Sequence, residues 1–334
     1  MSRFRTRHLV LNFNVPWPQG LEYASFPSLH GQALRDVVRE LVALKPHQPL
    51  GRHASALSRR VREWFLRARK LVRGNDKTVT GSLEKCIAHW KEHLNILPAP
   101  HRERILSRIL RGVPLPWANG KSPRKPIRCF RNSPDLKLRK DDVWRTLKEQ
   151  LQEGAVLPWD VQGQGLPMGV SPIKWVVKDD PNKVRVVIAL CSINDEFEVD
   201  AGKCKLDSLD SIRYMWEVDD WQITGDEHSG FYHYKNLVEE CTWTAFSLAP
   251  DELPDGVADA LRKKYPQCFE VSTGRLVFTF AGLPQGATHS VKVFDDLSKG
   301  FVAGLCAHKC GSQFARAVTY IDDFLFLLRS PRRT

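Results

Sequence analysis

Apolar residues recur along this chain with two different periods, and the change of period marks its elements. Between 55 and 73, "ASALSRRVREWFLRARKLV" places Leu57, Val61, Trp64, Phe65, Ala68, Leu71 and Val72 at helical spacing, with Arg and Lys crowding the remaining positions. "SLEKCIAHWKEHLN" (82–95), opened by Ser82 as a cap, predicts a second helix. A third is predicted by "DDVWRTLKEQLQEGAV" (141–156), acidic at its start and stopped by glycine. From 98 to 140 the period disappears into prolines and basic residues, which predicts an extended lead-in anchored by Trp117 and Phe130. Strand-like runs follow: "SPIKWVVK" and "KVRVVIAL" flank "DDPN", the chemistry of a hairpin turn. "WQITGD" (221–226) reads as a strand, as do "RAVTYI" and "FLFLLR" on either side of Asp322 and Asp323. Val291, Phe294, Leu297, Phe301 and Leu305 restore the helical spacing, and a further helix is expected near 255–265.

Composition narrows the class. The 334 residues are 42% hydrophobic and 26% charged, a globular balance with room for about two domains. No apolar run reaches the roughly 18 to 20 residues of a membrane span, and the start lacks a secretory signal, so no membrane partner is expected. Eight cysteines without a framework point to an intracellular, reducing setting, cytoplasmic or nuclear.

The net charge of +12 is unevenly spread. Residues 1–150 carry 31 Lys+Arg against 12 Asp+Glu, whereas residues 151–334 carry 19 against 26. A basic half joined to an acidic half suits a polyanion held by one part and metal-assisted chemistry in the other; a solvated face is the plainer reading of the same numbers. "HWKEH" fits a metallopeptidase pattern through His89, Glu92 and His93, but a third zinc ligand is missing. "CAHKC" (306–310) offers ligands only at one helix end.

The sharper signal is carboxylate. Two adjacent aspartates within "VTYIDDFLFLL" sit among residues that favour burial, and a third, Asp226, ends a predicted strand. Burying such groups uncompensated is costly, and two side by side repel. Divalent ions about 3.5–4 Å apart would neutralise them, and oxygen ligands suit magnesium.

"GDEHSGFYH" (225–233), "FTFAGLPQGATHS" (278–290) and "TYIDDFLFL" (319–327) occur in the order found in reverse transcriptases, and "VSPIKWVVKDDPNKVRVVIALCSIN" (170–194) resembles the fingers hairpin of that family. The resemblance covers roughly 100–334. The Ser-Gly-aromatic form, with "DW" at 220–221, is most similar to retroelement enzymes of the LTR and DIRS-like type. It implies an α+β fold: right-hand polymerase fingers and a partial palm, an antiparallel sheet backed by helices, with the thumb absent. A mostly helical basic region (1–100) would precede fingers and palm (101–334), with 101–140 as the basic lead-in.

The roles implied by the resemblance attach to particular residues. Asp226, Asp322 and Asp323 would be the catalytic carboxylates and bind two Mg2+ ions, with Mn2+ as a substitute. Lys178 and Arg185 would hold the triphosphate of a dNTP, Phe231 would exclude a sugar 2′-hydroxyl, and Gln285 and Gly286 would approach the new base pair. The partners implied are an RNA or DNA template with its primer.

Two features depart from the family. Ala189 and Cys191 stand where an acidic and a basic residue usually steady the fingers, and "APDELPDGVADALRKKYPQCFEVSTG" expands a normally short hairpin. The expected function is RNA-directed DNA polymerase, weak or inactive in a chain that ends after Tyr-x-Asp-Asp. The alternative is a non-catalytic nucleic-acid-binding remnant.

Overall fold

The computed structural model describes residues 7–10, 79–178, 180, 183–216, 220–227, 229–307, 315–321 and 323–328. The basic helix expected at 55–73, Asp322, residues 308–310 and the tail "RSPRRT" lie outside the described residues.

Strand β1 (Arg7–Val10) comes first. The helix expected at 82–95 is built in three pieces: a 3-10 turn Ser82–Cys86, helix α1 (Ile87–His93) and a second turn Leu94–Ile96. Ser82 does not cap it; its hydroxyl lies 2.7 Å from Nδ1 of His233. Helix α2 (Ala99–Arg111) occupies part of the segment expected to be extended. Its prolines are at the start, where a helix has no use for their missing N–H, and Ile105 and Ile109, one turn apart, are buried. Trp117 is buried as anticipated, whereas Phe130 is only half-buried.

Strand β2 (Ile127–Arg128) precedes α3 (Lys140–Gln152), whose first turn carries Asp141 and Asp142 and whose buried side holds Val143, Leu147 and Gln150. Then come β3 (Val156–Pro158), α4 (Val161–Gln164), β4 (Gly169–Val170), β5 (Ile173–Val177), β6 (Val184–Ile188), α5 (Cys191–Asn194) and α6 (Leu209–Met215). Strands β7 (Trp221–Asp226) and β8 (Ala245–Leu248) follow, then α7 (Val257–Lys264) inside the long insertion, β9 (Phe269–Glu270) and β10 (Arg275–Phe280). Helix α8 (Thr288–Leu305) leads to β11 (Ala315–Tyr320) and β12 (Asp323–Leu328).

The fold is α+β, and among the described residues there are three sheets: β1-β7-β12-β11, then β2-β4-β8-β10-β3 with β9 beside β10, and the hairpin β5-β6. A wholly antiparallel arrangement was expected, but both larger sheets are mixed. β1 runs parallel to β7, β2 to β4 and β4 to β8. Parallel pairing requires a long return path, and between β4 and β8 the chain runs from 171 to 244.

Two apolar clusters hold these layers. One joins the β5-β6 hairpin, α3, α7 and the larger sheet through Val143, Leu147, Val186, Ile188, Leu261 and Phe278. The other joins α1, α2 and α8 through Trp90, Leu94, Ile105, Ile109, Phe294 and Leu297. Phe231 packs against both. Of the stripe expected on α8, Phe294 and Leu297 are fully buried, and Val291, Phe301 and Leu305 half-buried. No helix among the described residues is long and apolar enough to cross a membrane.

Candidate active site

Three strands set the acidic site. β7 ends on Asp226, and β12 begins on Asp323. The β12–β7 ladder is antiparallel and pairs Asp323 directly with Asp226; on its other side Asp323 is paired with Tyr320. Directly opposed positions in such a ladder are neighbours on one face, with Cα atoms about 4.5–5.5 Å apart. Positions 320, 323 and 226 therefore form one cross-strand row. Farther down the same face Val318 and Leu327 are buried, while Asp323 is exposed and Tyr320 is 54% exposed, so the face opens to solvent at its acidic end.

The connection between β11 and β12 is two residues long, positions 321 and 322. Ile321, its first residue, has φ 59°. Tight hairpin turns demand a positive φ there, but a β-branched side chain resists it. Ser298 of α8 donates to the Ile321 carbonyl at 2.9 Å. The far end of the sheet is tied by Arg316, which pairs with the buried Asp220 at 2.5 Å and donates to the Met215 carbonyl. Burial pushes the Asp220 carboxyl up from its ordinary pKa, and the Arg316 guanidinium opposes that shift. The "DW" aspartate thus serves packing.

The segment after β7 is pinned residue by residue. Ser229, at φ 55°, donates to both carboxylate oxygens of Glu153 at 3.3 Å. Gly230 has no room for a side chain, since a Cβ would stand 2.6 Å from Cζ of Phe294. Phe231 stacks on Phe294 with centroids 5.0 Å apart and planes 19° apart. The Tyr232 hydroxyl accepts from Gln150 Nε2 at 2.7 Å. Burial raises the Tyr232 pKa and Glu153 adds to this, while Gln150 and the Arg185 charge act against it. His233 is fully buried between Ser82 and Glu227, with Nε2 3.8 Å from Glu227 Oε1.

The fingers-like hairpin has two chemically distinct faces. Register pairs Lys174 with Val187 and Val176 with Arg185, and the Lys178 amide donates to the Lys183 carbonyl at 3.0 Å. Lys174, Lys178, Lys183 and Arg185 therefore share one face, all exposed, while Ile173, Val184, Val186 and Ile188 are buried.

Gln285 and Gly286 dock against the end of this hairpin. The Ile188 amide donates to the Gln285 carbonyl at 3.1 Å, and Asn194 clamps the loop, donating to the Gly286 carbonyl at 3.0 Å and accepting from the Thr288 amide at 3.3 Å. Gly286 has φ 126°, and a Cβ there would fall 1.9 Å from the Ile188 oxygen. Only glycine fits. Oε1 of Gln285 is buried and finds no hydrogen-bond donor among the described residues.

The structure thus brings 226 and 323 together, sets Lys178 and Arg185 on one face, and joins Gln285 and Gly286 to that hairpin. Asp322 and the side chain of Asp226 lie outside what is described, and among the described residues no group of three or more His, Cys, Asp or Glu is arranged to hold a metal ion. The metallopeptidase pattern dissolves: Glu92 is exposed, and Nε2 of His93 lies 2.7 Å from the Phe301 carbonyl. Asn194, Gln150 and Ser298 escaped the sequence reading because their partners are 92, 82 and 23 residues away. No protein-family model and no curated protein matches the chain.

Proposed function

We propose that this chain carries the fingers and part of the palm of an RNA-directed DNA polymerase of the reverse-transcriptase type. The observation that carries the reading is the direct pairing of Asp323 with Asp226 at the open end of a sheet. Two acidic positions opposed in a ladder repel unless a cation lies between them. That pairing suits magnesium, which Asp226, Asp323 and the neighbouring Asp322 would hold. When bound, such ions activate an attacking oxygen and stabilise a leaving one at phosphorus.

The chain's own residues would bind and orient the substrates. Lys178 and Arg185 present cations to the triphosphate of a dNTP, Arg185 in a planar fork suited to phosphate oxygens. The Phe231 ring, held on Phe294, meets the sugar at its 2′ position and rejects a hydroxyl there. Gln285 and Gly286 face the nascent base pair, their backbone fixed to Ile188 and Asn194.

Primer extension on poly(rA)/oligo(dT) with magnesium tests this reading. Asp323→Ala and Asp322→Ala are each expected to lower incorporation about a hundredfold or more relative to the native chain. Equal signals from native and substituted proteins remove the enzymatic claim.

A second reading, a non-catalytic nucleic-acid-binding remnant, draws on Lys121, Arg124 and Lys125. They are exposed, and their side chains have no ion-pair or hydrogen-bond partner among the described residues. It predicts binding that weakens steeply with salt, roughly 0.9 log units per log unit of salt for each duplex phosphate neutralised. A flat salt series dismisses it.

A further inference from the structure

Ser298 lies within an 18-residue helix and is 1% exposed, a setting that does not favour serine. Serine inside a helix often bonds back to the carbonyl one turn earlier. Here the hydroxyl instead leaves its own helix and donates to the carbonyl of Ile321 at 2.9 Å. Ile321 is itself unusual, a β-branched residue held at φ 59°. A helix residue of the wrong type and a turn residue of the wrong conformation thus meet at one hydrogen bond. Strain of that kind persists only where the surroundings over-determine it, and it gathers at functional sites.

The neighbours of Ser298 on α8 extend the pattern. One turn earlier, Phe294 carries Phe231 and leaves no room for a side chain at Gly230. Nearly one turn later, Phe301 meets Phe324 edge-on at 5.8 Å. A single helix face, 294–298–301, therefore supports both the segment that follows Asp226 and the hairpin that carries Asp323.

We infer that Ser298 is a positioning residue: its hydroxyl holds the left-handed Ile321 turn and thereby fixes where Asp323, two residues on, stands opposite position 226. The inference rests on the proposed metal-binding role of these acids, and its test separates the two. Mn2+ binding to the full chain, followed by electron paramagnetic resonance, gives a Kd independent of catalysis. Ser298→Ala is expected to raise that Kd about fivefold to tenfold, the effect of losing one buried hydrogen bond. Adding Ile321→Gly should bring it back to within about twofold of the native value, because glycine adopts a positive φ without strain. Asp323→Ala is the control and should abolish tight binding.

An unchanged Kd in Ser298→Ala, with binding lost in Asp323→Ala, overturns the inference and leaves the metal site standing. Weak binding that the glycine does not rescue also overturns it, since it marks Ser298 as general packing. Native-like binding in Asp323→Ala removes the metal reading and the inference together. If Ser298→Ala alone does not fold, the strain-relieved double variant is compared directly with the native chain, and a Kd more than about fivefold weaker overturns the proposal.

Discussion

At the scale of single residues, the tightest constraint is Gly286. Any side chain there meets the Ile188 oxygen, and φ 126° is outside the range other residues accept. Gly286→Ala should break the Ile188–Gln285 backbone bond, so hydrogen exchange at the Ile188 amide loses protection and the melting temperature falls; native-like protection would show that the loop yields freely. Phe231 makes the complementary case. Its role against the sugar 2′ position follows from the proposed function, and its half-buried stack on Phe294 gives the ring a fixed seat. Phe231→Val should raise the ratio of ribonucleotide to deoxynucleotide incorporation roughly tenfold or more, with unchanged discrimination telling against the steric role.

At the scale of elements, the β5-β6 hairpin was legible because its information is local: apolar and basic residues alternate about a turn-forming tetrapeptide. The strand ending in Asp226 and the two strands flanking the aspartate pair were legible for the same reason, although Asp323, expected in the turn, is the first residue of β12 and Ile321, expected in a strand, lies in the turn. Helix α2 was not, because prolines at its start read as breakers although they occupy positions where a helix tolerates them. The parallel pairing of β4 with β8 leaves no local trace, since neither strand carries information about the other. The two faces of the hairpin yield a separable prediction. Lys178 and Arg185 are exposed and lie off the apolar face, so Lys178→Gln and Arg185→Gln should leave the melting temperature nearly unchanged. Each should raise the KM for dNTPs roughly tenfold to a hundredfold, the range for losing a hydrogen bond to a charged group. Equal kinetics in native and variant proteins would return both residues to ordinary surface charge.

At the scale of the whole molecule, two cores meet at Phe231, and the stability of the fold should depend on pH through the buried His289. This residue lies in the first turn of α8, three residues after Gly286; it is 3% exposed, edge-on to Phe197 at 5.5 Å, and neither ring nitrogen has a hydrogen-bond partner among the described residues. Burial, assisted by the Arg108 charge, lowers its pKa to about 4. The folded state therefore keeps the ring neutral while the unfolded chain takes up a proton below the ordinary value near 6.5. Its contribution is complete above about pH 6.5 and is lost as pH falls toward 4, at about 1.4 kcal/mol per pH unit. Asp220 and Asp295 act in the opposite sense: burial raises their folded pKa values, so they favour the fold more as pH falls. The net slope mixes these terms, but a variant isolates one of them. His289→Leu leaves no ring nitrogen unsatisfied, and it should remove about 2 kcal/mol of the loss in unfolding free energy between about pH 7 and pH 5, read from urea titrations. Parallel pH profiles for the native chain and the His289→Leu variant would mean that the ring already exchanges its proton with solvent in the folded state, and that the helix start after the Gln285 loop opens well below the cost of global unfolding.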